Sequence, residues 1–381
     1  MLSAALFDRE PAAPARRGDA GFDWHRSGPG TARLALLGVG TVGKALLSRL
    51  DALAALPCVS RLHLGYVANS RYALQSDGDL RPSEVLARLQ GATQVSALDL
   101  VAPALGRLGP RIVVDATASE AVAERHAAWL AQGIHVVTAC KLGQGTSLAR
   151  WSAIHTAAAR GEARYGDAAT VGAGLPLLRT LRELQDGGDR IHALAGVLSG
   201  SLGWLFQRYD GMRPFSSLVR QAREAGYTEP DPREDLSGED VRRKLLILAR
   251  ASGFPIEAGL VEVSSLVPSG LAALPRQDVD ACLHVLDAPL RERFARAYRD
   301  GERLRFIARL TRSEDGNPRV RVGLEALAPD HPLAGGSGTD NRVAIWSDRY
   351  SEQPLVIQGP GAGAEVTAAA LLDDALRIAN G

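Results

Sequence analysis

Four short apolar runs punctuate the first 140 residues, and each leads into a turn or a helical stretch. Residues 33–37 (Arg-Leu-Ala-Leu-Leu) run into Gly38-Val39-Gly40-Thr41-Val42-Gly43, and the residues from Lys44 to Leu50 read as a helix. Leu62–Ala68 is the second run and ends in Asn69-Ser70-Arg71; residues 83–106 are predicted helical after it. Arg111–Asp115 is the third, stopped by Ala116-Thr117-Ala118-Ser119, with a helix over about residues 120–132. Gly133–Thr138 is the fourth and ends in Ala139-Cys140-Lys141. Apolar strands alternating with helices argue for a parallel sheet covered on both faces.

The character changes after about residue 150. Val171-Gly-Ala-Gly-Leu-Pro176 is a turn-rich segment ahead of a helix. Ile191–Leu198 reads as a strand, followed by Ser199-Gly200-Ser201 and another helix. Residues 216–225 and 238–252 are predicted helical, and 304–311 and 318–326 alternate like strands of an antiparallel sheet. The 381 residues suffice for two to three domain-sized units. No apolar run approaches the ~20 residues that a membrane helix needs.

The first turn carries recognisable chemistry. In Gly38-x-Gly40-x-x-Gly43, Gly38 permits a tight turn, Gly40 lets a pyrophosphate approach the backbone, and Gly43 lets helix and strand pack closely. The following helix start offers free N–H groups to phosphate, so Gly38, Val39, Gly40, Thr41, Val42 and Gly43 are the candidate dinucleotide contacts. A glycine-rich structural turn is the plain alternative. An acid at the end of the second strand would hold the ribose hydroxyl of NAD. This chain has Asn69-Ser70-Arg71 there, and Arg71 suits a 2′-phosphate, which favours NADP while leaving NAD open. The expected fold is α/β: an N-terminal Rossmann-type parallel sheet plus an α+β domain with a mixed sheet.

Net charge is +1, so no basic field exists to attract nucleic acid or an anionic membrane. Only three of the 44 Lys and Arg residues are lysine: Lys44, Lys141 and Lys244. Base composition accounts for the arginine bias, but lysine differs in being able to trade a proton. The scattered Cys58, Cys140 and Cys282 suggest neither zinc spacing nor a disulfide framework, and point to a cytoplasmic location. Residues 1–30 contain Pro11, Pro14 and Pro29 and no continuous apolar stretch; they are expected to form a flexible arm without a targeting role.

The segment from Gly226 to Asp240 is dense in carboxylates. Pro230 and Pro232 stiffen the loop that holds Glu229 and Asp231. The next helix is expected to start at Ser237, with Asp240 three residues on in a capping-box arrangement. Lys244 follows Asp240 by one turn, the spacing of an ordinary helix ion pair. At about 100° per residue, Arg242, Arg243 and Arg250 gather on one side, read as the solvent face, while Lys244 lies among Asp240, Val241, Ile247 and Leu248. A lysine and a carboxylate facing inward together form a candidate acid/base pair.

These segments resemble homoserine dehydrogenase. The resemblance rests on Val171-Gly-Ala-Gly-Leu-Pro, Val197-Leu-Ser-Gly-Ser-Leu, Gly226-Tyr-Thr-Glu-Pro-Asp-Pro-Arg, Asp235-Leu-Ser-Gly-Glu-Asp-Val-Arg-Arg-Lys, His331-Pro, Asp340-Asn341 and Gly359-Pro-Gly-Ala-Gly-Ala-Glu-Val-Thr-Ala-Ala. It spans about residues 33–379 in the family's motif order. The wording of Val67-Ala-Asn-Ser and of the C-terminal stretch is most similar to the dehydrogenase half of fused aspartokinase–homoserine dehydrogenases. No kinase half and no C-terminal ACT domain are expected, and hence no threonine feedback through one. The resemblance implies reversible hydride transfer between NAD(P)H and L-aspartate 4-semialdehyde, giving L-homoserine in threonine, methionine and isoleucine biosynthesis. It implies Lys244 as proton donor, Glu229 and Asp240 as substrate ligands, and Asp235 in support. Gly200, Ser201, Tyr227 and Lys141 fall on substrate-contacting positions; Thr117, Lys141 and Gly363 fall beside the cofactor. It also implies a homodimer and this domain order: dinucleotide-binding residues 31–150, substrate-binding, catalytic and dimerisation residues 151–345, and residues 346–381 returning to the cofactor domain.

The chain departs from the family in three places. Ala139-Cys140 replaces the usual Pro-Asn before Lys141, and Gly203 replaces a polar residue. The family binds a monovalent cation such as sodium through carbonyls matching Val171, Ala173 and Leu175, but its acid aligns with Ala168, one residue beyond Asp167. Two rival readings are a thiol-dependent aldehyde dehydrogenase using Cys140, its thiolate favoured by Lys141, and an NADP-binding sensor without turnover.

Overall fold

The computed structural model describes residues 31–313, 316–336 and 338–381; the expected N-terminal arm, residues 1–30, lies outside them. Two six-stranded sheets organise the chain. The first contains β1 (Ala32–Leu37), β2 (Leu62–Ala68), β3 (Ala73–Gln75), β4 (Arg111–Asp115), β5 (His135–Thr138) and β6 (Tyr165–Gly166), in the order β3-β2-β1-β4-β5-β6. Its strands run parallel except β3, which pairs antiparallel with β2. Only residues 69–72 separate β2 from β3, far too few for the crossover that a parallel neighbour requires. Buried side chains form one apolar layer on each face of this sheet, which explains why β1, β2, β4 and β5 read as unbroken apolar runs.

The second sheet holds β7 (Ile191–Val197), β8 (Glu262–Val263), β9 (Arg303–Arg312), β10 (Pro318–Leu327), β11 (Asp340–Ser347) and β12 (Leu355–Pro360), in the order β12-β11-β7-β9-β10-β8. All pairs are antiparallel except β8 with β10, so the sheet is mixed. Alternate residues serve opposite faces. Leu194 and Ile345 join the large helix-covered core, while Ala195, Ala344 and Trp346 belong to a smaller cluster.

Three helices position the site. Thr41–Ala52 follows β1, Glu239–Ala251 crosses the second domain, and Ala364–Ala379 closes the chain. The last packs on Thr41–Ala52 and shares the first domain's core through Ala368, Leu371, Leu372 and Ala375. The expected helix over 83–106 is broken. Pro82–Gln90 is helical and stops at Gly91, and helix resumes only in short turns from Leu98. Glycine's backbone entropy makes it a poor helix residue and a natural stop. Among the described residues no helix is long and apolar enough to cross a membrane.

Candidate active site

The glycine turn has the shape that a dinucleotide needs. Gly38 has φ +91°, and a Cβ there would press on the Ala116 carbonyl and the Thr117 side chain. A Cβ on Gly43 would collide with the Gly38 carbonyl. Gly40, in contrast, faces open space and caps the Thr41–Ala52 helix without any side-chain hydrogen bond. The first amides of that helix are therefore free where a phosphate would arrive. Thr117 stands beside this turn, its N–H and Oγ1 donating to Asp115 Oδ1 at 2.9 and 2.6 Å. Val39 and Val42 pack into the first core. Gly363, at φ +127°, precedes the Ala364–Ala379 helix.

Asn69 serves the turn rather than presenting a free amide. Its Oδ1 accepts from the N–H groups of Arg71 and Tyr72 at 2.8 and 2.7 Å. That turn carries Arg71 exposed at the end of β2.

The second half of the site gathers on the Glu239–Ala251 helix. Lys244 is 9% exposed. Its Nζ donates to the Leu198 carbonyl at 2.8 Å and pairs with Asp240 Oδ2 at 2.8 Å. Lys141, from the loop after β5, reaches Asp240 Oδ1 at 3.4 Å. Burial alone would push the Asp240 carboxyl up, but Lys244 and Lys141 outweigh it and hold it down at about 2. The Asp240 side chain remains 48% exposed, so this anion between two ammoniums has an opening to solvent.

Asp240 does not close a capping box. Ser237 ends the preceding short helix Pro232–Leu236, and Gly238, at φ +79°, starts the next one. The Asp240 carboxylate is thereby left for the lysines. Asp231 also has a local duty: it caps the Pro232–Leu236 helix and binds the Arg233 guanidinium, which holds its carboxyl below the usual range. Arg250, read as outward-facing, is 3% exposed and donates to the carbonyls of Gln144, Thr146 and Ile256.

Around the lysines, Asp235 joins two segments. Its Oδ1 accepts from Ser201 Oγ at 2.7 Å and its Oδ2 from the Glu229 N–H at 2.8 Å. Ser201 follows Gly200 at the start of the Gly200–Arg208 helix, whose Trp204 packs at a tilt against Tyr227 with ring centroids 5.2 Å apart. Tyr227 and Glu229 are exposed, and the Glu229 carboxylate has no partner among the described residues.

The spacing of residues gave no sign of three further features. One is the Leu198 carbonyl on Lys244. Another is the buried group under the cofactor turn, where Asp115 Oδ2 meets His126 Nε2 at 3.0 Å and Thr138 Oγ1 at 3.2 Å, and His126 Nδ1 meets Tyr165 OH at 3.0 Å. Arg250 is the third. All depend on tertiary neighbours; only Asp115 at a strand end carried a local hint.

The alternative sites fare poorly. Burial, reinforced by Asp115, pushes the Cys140 thiol up to about 11, against the lowering expected from Lys141, so it is protonated at neutral pH. At the Val171, Ala173 and Leu175 segment, Gly172 and Ala173 both take positive φ. Both Asp167 oxygens accept from Arg182, at 2.8 and 2.5 Å. Ala168, in the acid's aligned place, offers only an N–H to Asp374. With the Asp167 carboxylate taken up by Arg182, the segment offers backbone carbonyls and no free carboxylate, and no reaction step is assigned to a cation.

Comparison with known proteins places these features in a family context. A sequence-family model described as "Homoserine dehydrogenase" matches residues 176–376, and one described as "Homoserine dehydrogenase, NAD binding domain" matches residues 38–166. The chain is 38% identical to the chloroplastic bifunctional aspartokinase/homoserine dehydrogenase 1 of Zea mays, over 92% of this chain and 38% of that protein. It is 36% identical to the homoserine dehydrogenase of Emericella nidulans, over 91% of this chain and 97% of that one. Its structure is similar to that of a Candida auris protein of unknown function, with a TM-score of 0.83 and 33% identity, covering 91% and 98% of the two chains. The chain thus spans well under half of the bifunctional relative and nearly all of the fungal ones.

Proposed function

Because the chain belongs to the homoserine dehydrogenase family and carries that family's NAD-binding domain, we propose that it reversibly reduces L-aspartate 4-semialdehyde to L-homoserine with Lys244 as general acid. The observation that carries the reading is the line Lys141–Asp240–Lys244, anchored on the Leu198 carbonyl. An ammonium has three donors. Lys244 commits two of them, and the third is the one to meet the aldehyde oxygen. The nicotinamide cofactor, when bound, supplies the hydride. As charge grows on that oxygen, Lys244 transfers its proton. In the oxidising direction the neutral amine takes the hydroxyl proton back. Arginine in this place would keep its proton throughout.

The Glu229 carboxylate, without a partner among the described residues, and Asp240 suit the ammonium and hydroxyl ends of the substrate. Asp235 keeps the Ser201 and Glu229 segments in register, with Gly200 and Tyr227 alongside. Gly38 to Gly43, Thr117 and Gly363 form the cofactor wall. We read NADP as the preferred form, since Arg71 is exposed and no acid stands at the end of β2. We assign the enzyme to the cytoplasm and read it as a homodimer.

The test is direct: NADPH and NADH oxidation are followed with aspartate semialdehyde. Oxidation of NADPH with a higher kcat/KM than NADH is expected. Tight NADPH binding without turnover would favour the sensor reading instead.

A further inference from the structure

Lys141 reaches the catalytic helix from another domain, so something must fix where its loop lies. The loop is a closed turn: the Gly145 N–H donates to the Lys141 carbonyl at 2.6 Å, and Thr146 Oγ1 donates to the Leu142 carbonyl at 2.9 Å. This turn lies flat on the Glu239–Ala251 helix. A Cβ added at Gly145 would sit 2.8 Å from the Lys141 oxygen and 3.3 Å from both Cβ and the carbonyl oxygen of Arg243. Only a glycine fits between them.

The turn is also gripped from beyond. Arg250 stands on the same helix, less than two turns past Lys244. Its guanidinium donates to the Gln144 carbonyl and, at 2.9 Å, to the Thr146 carbonyl, the two residues that flank Gly145. A further pair of bonds, 3.2 Å from Nε and 2.9 Å from Nη2, ties it to the Ile256 carbonyl. One planar fork thus binds three carbonyls, a geometry that a lysine ammonium does not reproduce. Asp240, Lys244 and Arg250 share one rigid helix. Fixing the turn to Arg250 therefore fixes the Lys141 ammonium relative to Asp240 and Lys244.

We infer that Arg250 is a positioning residue for the reaction: it clamps the Lys141–Thr146 turn onto the catalytic helix and thereby sets the Lys141–Asp240 contact. This inference rests on the dehydrogenase reading for its kinetic consequence but not for its structural one.

The experiment is a double-mutant cycle between Arg250→Lys and Lys141→Ala, with hydrogen exchange at the Gly145 amide as a readout independent of turnover. Misplacing a catalytic contact by an ångström costs on the order of 10²-fold, so Arg250→Lys is expected to lower kcat by about 10- to 100-fold with little change in KM for NADPH. In the Lys141→Ala background the same change should cost less than about threefold, because the contact it positions is already gone. The Gly145 amide should exchange faster in Arg250→Lys. A purely structural residue would give the same loss in both backgrounds, and that outcome overturns the inference, as does unchanged Gly145 exchange. Should Arg250→Lys fail to fold, Gly145→Ala lifts the same turn from its other side without removing a charge and is taken through the same cycle. A parent chain with no turnover sinks the dehydrogenase reading, and Gly145 exchange then decides the clamp alone.

Discussion

Asp240 stands between two lysines, whereas Asp167 and Asp374 stand together around arginines. Burial pushes both the Asp240 and the Asp374 carboxyl up, yet the outcomes are opposite. The two ammoniums hold Asp240 at about 2. Asp374, 7% exposed on the C-terminal helix, is pushed up to about 6, because burial and the neighbouring Asp167 outweigh the Ala168 N–H, Arg377 and Arg182. The surplus of cations over anions decides the sign. The kind of cation decides the use: only lysine can give a proton away and take it back, and two of the chain's three lysines are at Asp240. Arg182, its charge reinforced by Asp167, can only hold a structure together.

The strongest way to break this comparison is to put arginine into the first cluster. Lys244→Arg keeps the positive charge beside Asp240 but removes the transferable proton. General acid/base catalysis contributes about 10²–10⁴-fold, so kcat should fall by roughly 10³-fold in both directions while NADPH still binds. Steady-state rates with semialdehyde and with homoserine check this. A variant within threefold of the parent would show that charge alone suffices at this position.

The reverse experiment belongs to the second cluster. Arg182→Met strands Asp167, which is fully buried, without its bidentate partner. Breaking a buried pair costs ~3–5 kcal/mol; with Arg182 itself 41% exposed, roughly 2–4 kcal/mol is expected. Urea unfolding measures the loss, and the rate per folded molecule should stay near that of the parent. A large kcat effect at unchanged stability would mean that this cluster serves chemistry after all.

Asp240→Asn tests how much the anion matters to the lysines. The amide cannot balance two ammoniums, so the alkaline limb of the reduction rate should move to lower pH, and kcat/KM should fall by about tenfold. An unmoved pH profile would dissociate Asp240 from the proton transfer.

The sequence disclosed these two clusters unequally, for physical reasons. Strands β1, β2, β4 and β5 were legible because sheets covered on both faces are apolar throughout. The Lys244–Asp240 pair was legible because helical spacing survives folding. Arg250 was misread for the same cause: spacing says which residues share a face, not what another domain lays on that face. Ser237 matched the capping pattern but closes the helix before it. The Leu198 carbonyl is backbone, which no residue type announces. Asp374 and Asp167 lie more than 200 positions apart, and nothing along the chain links them.

The smallest effect expected is also the one that isolates the second cluster most cleanly. The folded-state pKa of Asp374, about 6, exceeds the ordinary carboxyl value of about 3.9 expected when unfolded. The folded protein therefore binds this proton more tightly. Below about pH 4 the carboxyl is protonated in both states, and its favourable contribution is fully present. As pH rises from about 4 to 6, the unfolded chain ionises first and that stability drains away, levelling off above about pH 7. Asn cannot ionise, so Asp374→Asn should match the parent near pH 4 and exceed it at pH 8. The two-unit gap sets a ceiling of about 3 kcal/mol, and losing the charged bond to Arg377 leaves a net gain of about 1 kcal/mol. Urea midpoints of parent and variant across pH 4–8 read the difference directly. If the variant falls below the parent at pH 8, Asp374 is held as a stable anion by its arginines, and the contrast with Asp240 collapses.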